Sequence, residues 1–343
     1  SVLLDLLRGG SALAVLIGHA GQLGFLGRDW PLDDTFQHAG VVIFFVMSGL
    51  LVHQSAGRDG MTLTAFARAR MVRVLPVAAF ALIFGVGVYH FLLWYRPEAT
   101  LEVDPIAADP ATILAAAVFL SERAGFLEPV LNPPYWSLCY EVWFYILYGL
   151  ALFTRGNLRI AAMLCAASLA GVDILLLLPT WSIGVWVGAQ GSKVRIGRPR
   201  LCVAGAVAGF AMVSWSGVPH VLLFLIRRID PDLGTLRFSN YCVTDTVAAL
   251  WVAIGLIALR STRFDPSRLR HVGRWAAGIS FTLYLTHWPL LSGMATFVPP
   301  SWHLCRALLA IVGPITFARS ARHRCHDGGT NAAIPERSGQ CVR

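Results

Sequence analysis

The sequence predicts an all-α membrane protein, a polytopic bundle of about ten transmembrane helices. Hydrophobic residues make up 56% of the 343 residues and charged residues only 14%, whereas about a quarter of a soluble domain is charged. Apolar runs of about 17 to 25 residues match the thickness of a bilayer, and they lack the two-residue alternation of a barrel strand. Basic residues cluster between these runs, as the positive-inside rule predicts for a membrane protein.

Ten apolar runs define the candidate spans. They lie near residues 3–25, 37–54, 74–95, 137–154, 158–178, 180–192, 201–218, 243–259, 275–295 and 303–318. The sixth is short, and we include it mainly because the topology requires another crossing.

The basic loops set the predicted orientation. They follow the even-numbered spans and contain Arg68, Arg70 and Arg73; Arg155 and Arg159; Lys193, Arg195, Arg198 and Arg200; Arg260, Arg263, Arg268, Arg270 and Arg274; and Arg319, Arg322 and Arg324. All five loops lie on the cytoplasmic side if both termini are cytoplasmic, which is the orientation we predict. Because these loops account for the net charge of +9, we expect no nucleic-acid partner.

The chain divides into a transmembrane domain, residues 1–318, and a polar cytoplasmic tail, residues 319–343, which we predict to be disordered. An acidic outer stretch between the third and fourth spans contains a predicted interfacial helix at 110–121. We expect the first span to be retained, because it lacks the small-residue cleavage site of a signal peptide. The His-Arg-Cys-His sequence at 323–326 is too compact to predict a metal site.

Two ionisable residues, Arg8 and His19, lie inside the first span. They are 11 residues apart, so both project from one face of a helix, about 16 Å apart along its axis. Ionisable groups are costly in a bilayer and usually face a bundle interior or a wet cavity. We therefore predict an anion-binding guanidinium and a proton-accepting imidazole along one lumen.

Small and basic residues mark the second span and the loop after it. Ser48 and Gly49 allow a neighbouring helix to approach closely, or leave room beside the first helix for a narrow acyl chain. Arg70 and Arg73 share a helix face from which they can bind phosphates. The alternative interpretation of these arginines is ordinary retention of positive charge on the cytoplasmic side.

Two later segments carry further candidate residues. Residues 132–145 are dense in aromatic side chains, which are usually interface anchors. Glu141 within them has no partner nearby in sequence, so we expect it to orient an imidazole or to accept from a hydroxyl. His287, near the outer end of the ninth span, is either a second proton-handling group or an interfacial histidine beside Trp288.

Together these motifs resemble the acyltransferase 3 family of bacterial integral-membrane O-acyltransferases. The resemblance covers about residues 2–318, and the ten-helix topology of the family agrees with the loop charges. Its motifs are Arg-x10-His at 8–19, Phe-Phe-Val-x-Ser-Gly at 44–49, the arginine-rich run to Pro76, Trp-Ser-Leu-x-x-Glu at 136–141 with Phe144 and Tyr145, and Tyr-x-x-His-x-Pro at 284–289.

The resemblance implies transfer of an acyl group, often acetyl, from cytoplasmic acyl-coenzyme A to a hydroxyl of a cell-surface glycan or a glycosylated small molecule. It implies a multi-pass protein of the bacterial cytoplasmic (inner) membrane, in contact with lipids and without a metal. By position we expect catalysis by His19, Glu141 and Arg8, binding of acyl-coenzyme A by Arg68, Arg70 and Arg73, and substrate binding by Ser48, Trp136, Ser137, Tyr145, Tyr284 and His287.

Two features depart from the family pattern. Val42 stands where many members have an acidic residue, and the last span runs into Ala318-Arg319 instead of an aromatic-Glu-x-Pro sequence. Two other interpretations therefore stay open. One is a transporter or flippase with an intramembrane His/Arg relay, although the sequence contains no visible inverted repeat. The other is an inactive, truncated family member.

Overall fold

A computed structural model of the chain describes residues 2–27, 30–32, 34–100, 105–123, 128–229, 236–262, 267–299 and 301–330. These residues form α-helices and short 3₁₀ turns, with no strand among them. The helices are α1 (Val2–Gln22), α2 (Asp34–Ala56), α3 (Leu63–Tyr95), α4 (Pro110–Ala117), α5 (Trp136–Phe153), α6 (Gly156–Ala170), α7 (Val172–Gln190), α8 (Pro199–Trp215), α9 (Val218–Ile229), α10 (Cys242–Arg260), α11 (Arg270–Phe297) and α12 (His303–Thr330). The predicted all-α membrane fold is confirmed.

Several of these helices are long and apolar enough to cross a membrane. Within the described ranges, six helices have the length and apolar composition of a membrane span. They are α1, α2, α3, α5, α7 and α10, where α5 and α10 are taken with the turns before them. The pair α8 and α9, bent by 45°, would supply a seventh. Each of the ten predicted spans overlaps a helix, but the span 158–178 crosses from α6 into α7, and α6 has only 15 residues. The count of ten and the orientation of the termini stay predictions.

The boundary between α6 and α7 differs from the predicted one. The apolar runs predict it near residue 179, whereas the helix breaks at Gly171. Gly171 has a φ of +91°, a conformation that glycine adopts far more readily than other residues. Pro179 instead lies inside α7, so the short predicted sixth span is a helix of 19 residues.

The last helix extends beyond the predicted transmembrane domain. Because α12 runs to Thr330, residues 319–330 are helical, although we predicted a disordered tail from 319. The first of these residues, Arg-Ser-Ala-Arg, contain no proline or glycine, so the hydrogen-bonded backbone of the span continues through them. The rest of the predicted tail, 331–343, lies outside the described residues.

The helix ends that carry the basic residues lie together, at what we call the basic end of the bundle. There, Arg70 at the start of α3 donates to Ser55 at the end of α2 over 3.1 Å. Gly191, just after α7, lies beside Arg260 at the end of α10. The first turn of α11, at Gly273, lies beside the first turns of α1. The opposite end is called the far end below.

The centre of the bundle is formed by α1 and α2. α1 lies between α2 and α11, and α2 also packs against α7. The α2–α7 contact depends on glycines, because a Cβ on Gly49 would collide with the Trp181 carbonyl oxygen and one on Gly184 with that of Val46. Gly49 therefore permits close helix packing, as predicted, and its partner is α7.

Candidate functional site

The predicted base, His19, forms a hydrogen-bonded pair with a second histidine. His19 Nδ1 lies 2.7 Å from Nε2 of His287 on α11. The Trp288 indole packs edge-on against the His19 ring, with 4.8 Å between centroids. His287 is only 1% exposed, so it lies inside the helix bundle.

The second nitrogen of His287 determines the tautomers of both rings. His287 Nδ1 lies 3.1 Å from the Leu283 carbonyl oxygen, which can only accept, so this Nδ1 carries the proton. In the neutral ring Nε2 is then an acceptor, and the proton between the two histidines belongs to Nδ1 of His19. His19 Nε2 keeps its lone pair, and this is the nitrogen that can take a proton from a hydroxyl.

A cavity lined by both polar and apolar side chains lies nearer the basic end, between α1, α2, α3, α5 and α11. Its volume is about 50 Å³, enough for one or two water molecules. Its lining comes from separate parts of the chain and brings together six predicted site residues. They are Arg8, Ser48, Arg73, Ser137, Glu141 and Tyr284, with apolar contributions from Val41, Phe44, Phe45, Met47, Leu51, Leu138 and Phe281.

Glu141 accepts hydrogen bonds from two hydroxyl groups inside the bundle. The donors are Ser48 Oγ on α2 and Tyr145 Oη, one turn further along α5. Ser48 in turn accepts from Trp181 Nε1 over 3.3 Å. In the described part of the chain no hydrogen bond joins Glu141 to His19, so the imidazole is oriented by His287 instead.

The predicted donor-binding arginines occupy three different environments. Arg73 faces the cavity beside Arg8, close enough for the two guanidinium groups to repel each other. Arg70 lies next to them, with its Cζ 5.8 Å from the centroid of the Tyr145 ring. Arg68 is exposed and does not line the cavity. Two guanidinium groups and a single carboxylate in the lining give the cavity a net positive charge, which attracts an anion.

The cavity stops short of His19, so the continuous lumen that we predicted is not open. Tyr284 closes it, with its hydroxyl 2.7 Å from Ser137 Oγ and its ring 5.3 Å from the Phe44 ring between centroids. On α11, Tyr284 comes one turn before His287, and their ring centroids are 6.1 Å apart. Aromatic packing therefore separates the arginines from the histidines, which the spacing along α1 could not indicate.

A histidine–aspartate pair lies near the far end, and neither residue was among the predicted site residues. His38 Nε2 lies 2.8 Å from a carboxylate oxygen of Asp245. Trp136, predicted to bind substrate, is 5% exposed and is stacked between His38 and Phe238, with 4.3 Å to the Phe238 centroid. Trp136 thus packs the bundle and does not line the cavity. An aspartate inside a predicted span was the available signal for this pair.

An ion-pair cluster joins the segment after α4 to the turn that precedes α10. Arg237 bonds to Glu122 over 3.3 Å and also to Glu128. Glu122 is 4% exposed, and burial raises its pKa to about 7, while Arg237 opposes the shift. This carboxyl group therefore titrates near neutral pH.

Comparison with known proteins agrees with the resemblance carried by the motifs. A family model described as an acyltransferase domain matches residues 2–319. The exopolysaccharide production protein ExoZ of Rhizobium meliloti (strain 1021) is 28% identical over 204 residues, which cover 54% of this chain and 62% of that protein. The match therefore spans less than two thirds of the length of that relative. No solved structure matches the chain significantly.

Proposed function

This chain belongs to the acyltransferase 3 family, and from that membership we propose that it transfers an acyl group from acyl-coenzyme A to a hydroxyl of a polysaccharide or its precursor. The name of the relative, an exopolysaccharide production protein, supports a polysaccharide acceptor. The reaction takes place in the bacterial cytoplasmic membrane. The observation that carries the proposal is the His19–His287 pair, which leaves Nε2 of His19 free to act as a base.

In the proposed reaction His19 is the general base. Its Nε2 takes the proton of the acceptor hydroxyl while the hydroxyl oxygen attacks the thioester carbonyl carbon and forms the new C–O bond. The C–S bond then breaks, and the imidazolium returns its proton to the coenzyme A thiolate. His287 stays neutral and stabilises the imidazolium by accepting from Nδ1. An oriented base of this kind contributes about 10²- to 10⁴-fold to the rate.

The cavity at the basic end supports binding of the coenzyme A part of the donor. Arg8 and Arg73 supply positive charge for its phosphates. Arg8 lies about 16 Å from His19 along α1, too far to stabilise charge that develops at the reacting carbonyl. Arg8 therefore anchors the donor, and the flexible pantetheine arm spans the distance to His19.

Binding of the donor requires the Tyr284 barrier to move, because the cavity holds only one or two water molecules. Rotation of Tyr284 away from Ser137 breaks the hydrogen bond between their hydroxyls, at a net cost of about 1 kcal/mol. The same rotation joins the cavity to the histidine pair. A charge-assisted phosphate contact contributes about 1.5 to 3 kcal/mol, so donor binding can open the path.

Direct transfer fits this arrangement better than an acyl-serine intermediate. Ser137, the serine nearest to the barrier, is bonded to Tyr284 and to the Pro134 carbonyl oxygen. A nucleophilic serine needs an adjacent base. Within the described ranges, no hydrogen bond connects Ser137 to a histidine.

The proposal is tested with purified protein in proteoliposomes, supplied with acyl-coenzyme A labelled in the acyl group and with polysaccharide from cells that lack the gene. We expect labelled ester on the polysaccharide, and a loss of at least about 100-fold for His19→Ala. His53→Ala, a change at a histidine outside the proposed site, is the control and should keep the activity. Unchanged ester formation by His19→Ala would overturn the assignment, and movement of glycan without ester would indicate a transporter.

A further inference from the structure

Arg306, near the start of α12, is a buried charged residue that the proposed mechanism does not use. Only 7% of it is exposed, and its guanidinium carbon lies 4.7 Å from the centroid of the Phe25 ring. Its Nε is fully buried and has no hydrogen-bond partner. Among the residues that the structure describes, no carboxylate lies within ion-pair distance of Arg306.

The surroundings of this guanidinium are apolar. Phe25 belongs to a cluster of buried hydrophobic side chains from α1, α11 and α12, which includes Ala20, Leu291 and Ala310. An unpaired cation in such surroundings is strongly unfavourable. The cation–π contact with Phe25 offsets part of the cost, but it leaves the buried Nε–H donor without a partner. A side chain in this state points to an anionic ligand.

We propose that Arg306 binds a carboxylate of the acceptor, so that the acceptor is an anionic glycan and not a neutral one. The inference rests on the acyltransferase function proposed above. A guanidinium presents its donors in a planar fork that matches the two oxygens of a carboxylate. A uronate sugar supplies such a group on a ring whose other hydroxyls remain available for acylation.

The position of Arg306 relative to the histidine pair supports a role in acceptor binding. Phe25, over which the guanidinium lies, follows α1 six residues after His19. On α11, Leu291 packs in the same apolar cluster one turn beyond His287. Arg306 is therefore on the far-end side of the histidine pair, opposite the donor cavity. A glycan that approaches from the far end meets Arg306 and His19 together.

A phospholipid headgroup is the other anion available to a membrane protein, but the burial of Arg306 favours the glycan. A lipid headgroup reaches a basic residue at the protein surface or through a pocket between helices that opens to the bilayer. Arg306 is instead enclosed against Phe25 by neighbouring helices. Arg319, on the same helix, is exposed and provides a matched control.

The first test measures binding without acyl transfer. Full-length protein in phosphatidylcholine nanodiscs is heated with a glucuronan oligosaccharide or with a neutral glucan oligosaccharide of the same length. We expect the glucuronan to raise Tm, the effect to weaken with salt, and the neutral glucan to have little effect. Arg306→Gln should lose the stabilisation, Arg306→Lys should keep part of it, and Arg319→Gln should behave as wild type.

Equal stabilisation by both oligosaccharides, or none by the glucuronan, would overturn the proposal. So would a shift that needs added phosphatidylglycerol and not the uronate, since Arg306 would then bind lipid. If Arg306→Gln does not fold, Arg306→Lys replaces it in the comparison. The lysine variant should bind the glucuronan more weakly than wild type does, and salt should weaken this binding.

The second test uses ester formation on the same two oligosaccharides. We expect Arg306→Gln to raise KM for the glucuronan by about 10- to 100-fold, and we expect any slow ester formation on the glucan to stay at its wild-type rate. An equal loss on both would indicate a structural role. If neither oligosaccharide gains ester while the glucuronan still raises Tm, the proposed acyltransferase function is wrong and the carboxylate site stands.

Discussion

Replacing His287 by leucine removes the group that orients the proposed base. Leucine has a similar size, but it cannot accept the hydrogen bond that His19 Nδ1 donates over 2.7 Å. His287→Gln is the matched variant, because its side-chain oxygen can take the place of Nε2 as an acceptor. The pair of substitutions therefore separates loss of the hydrogen bond from loss of the aromatic ring.

The size of the effect follows from two losses. One net hydrogen bond of about 1.4 kcal/mol corresponds to about tenfold in rate. Without His287, the imidazole of His19 also samples the tautomer that is protonated at Nε2, which cannot act as the base. We therefore expect kcat to fall by about 10- to 100-fold in His287→Leu, below the full contribution of a general base. KM for acyl-coenzyme A should not change, because the donor cavity is lined by other residues.

Steady-state acyl transfer in nanodiscs, with Tm measured on each variant, checks this reasoning. His287→Gln should recover most of the lost kcat. If the leucine variant retains wild-type kcat, or if the glutamine variant is as slow as the leucine variant at equal Tm, His287 does not act through the hydrogen bond to His19.

Further predictions concern the donor cavity, the helix packing and one buried carboxyl group. Arg73→Ala should raise KM for acyl-coenzyme A by about 10- to 100-fold in steady-state kinetics. Arg68→Ala, at an exposed position, should change this KM by no more than about twofold. Equal effects of the two substitutions on KM would contradict the cavity assignment. Gly184→Ala places a Cβ against a backbone carbonyl of α2 and should lower the unfolding free energy by about 1 to 3 kcal/mol. Gly205→Ala, whose added Cβ meets open space, should leave the unfolding free energy unchanged. An unchanged Tm for Gly184→Ala would show that α2 and α7 separate easily. Burial raises the pKa of Glu122 from 4.5 to about 7, so between these values the folded state binds more protons than the unfolded state. The unfolding free energy should therefore fall by up to about 3 kcal/mol as pH rises through this range, and Glu122→Gln should abolish the fall. If wild type and Glu122→Gln have parallel curves of unfolding free energy against pH, the raised pKa of Glu122 is wrong.

The helices were largely predictable because long apolar runs and basic loops are local properties of the sequence. The break between α6 and α7 was missed, although Gly171, which has a positive φ, and Asp173 in the first turn of α7 mark it within an otherwise apolar run. The helical residues after 318 were misassigned for a related reason. Polarity ends a membrane span, but it does not end a helix.

Most residues of the candidate site could be predicted from the sequence, but their hydrogen-bond partners could not. Arg8 and His19 were identified from their spacing on one helix, whereas the partner of His19 is His287, which is 268 residues away in sequence. For Glu141 we expected no partner nearby in sequence, but Tyr145, four residues later on the same helix, donates to it, and the bond from Ser48 depends on how α2 and α5 pack. Arg306 was overlooked inside an apolar run, because average hydrophobicity hides a single buried charge.

The central claim is that Nε2 of His19 is a free base in the resting protein, and ¹⁵N NMR of histidine-labelled protein in nanodiscs tests it most directly. The His19 signals are identified by difference from the His19→Gln variant. The account predicts a neutral ring with a protonated Nδ1 and a Nε2 without a proton, and loss of that fixed tautomer in His287→Leu. A resting His19 that is protonated at Nε2, or a cationic ring, would contradict it.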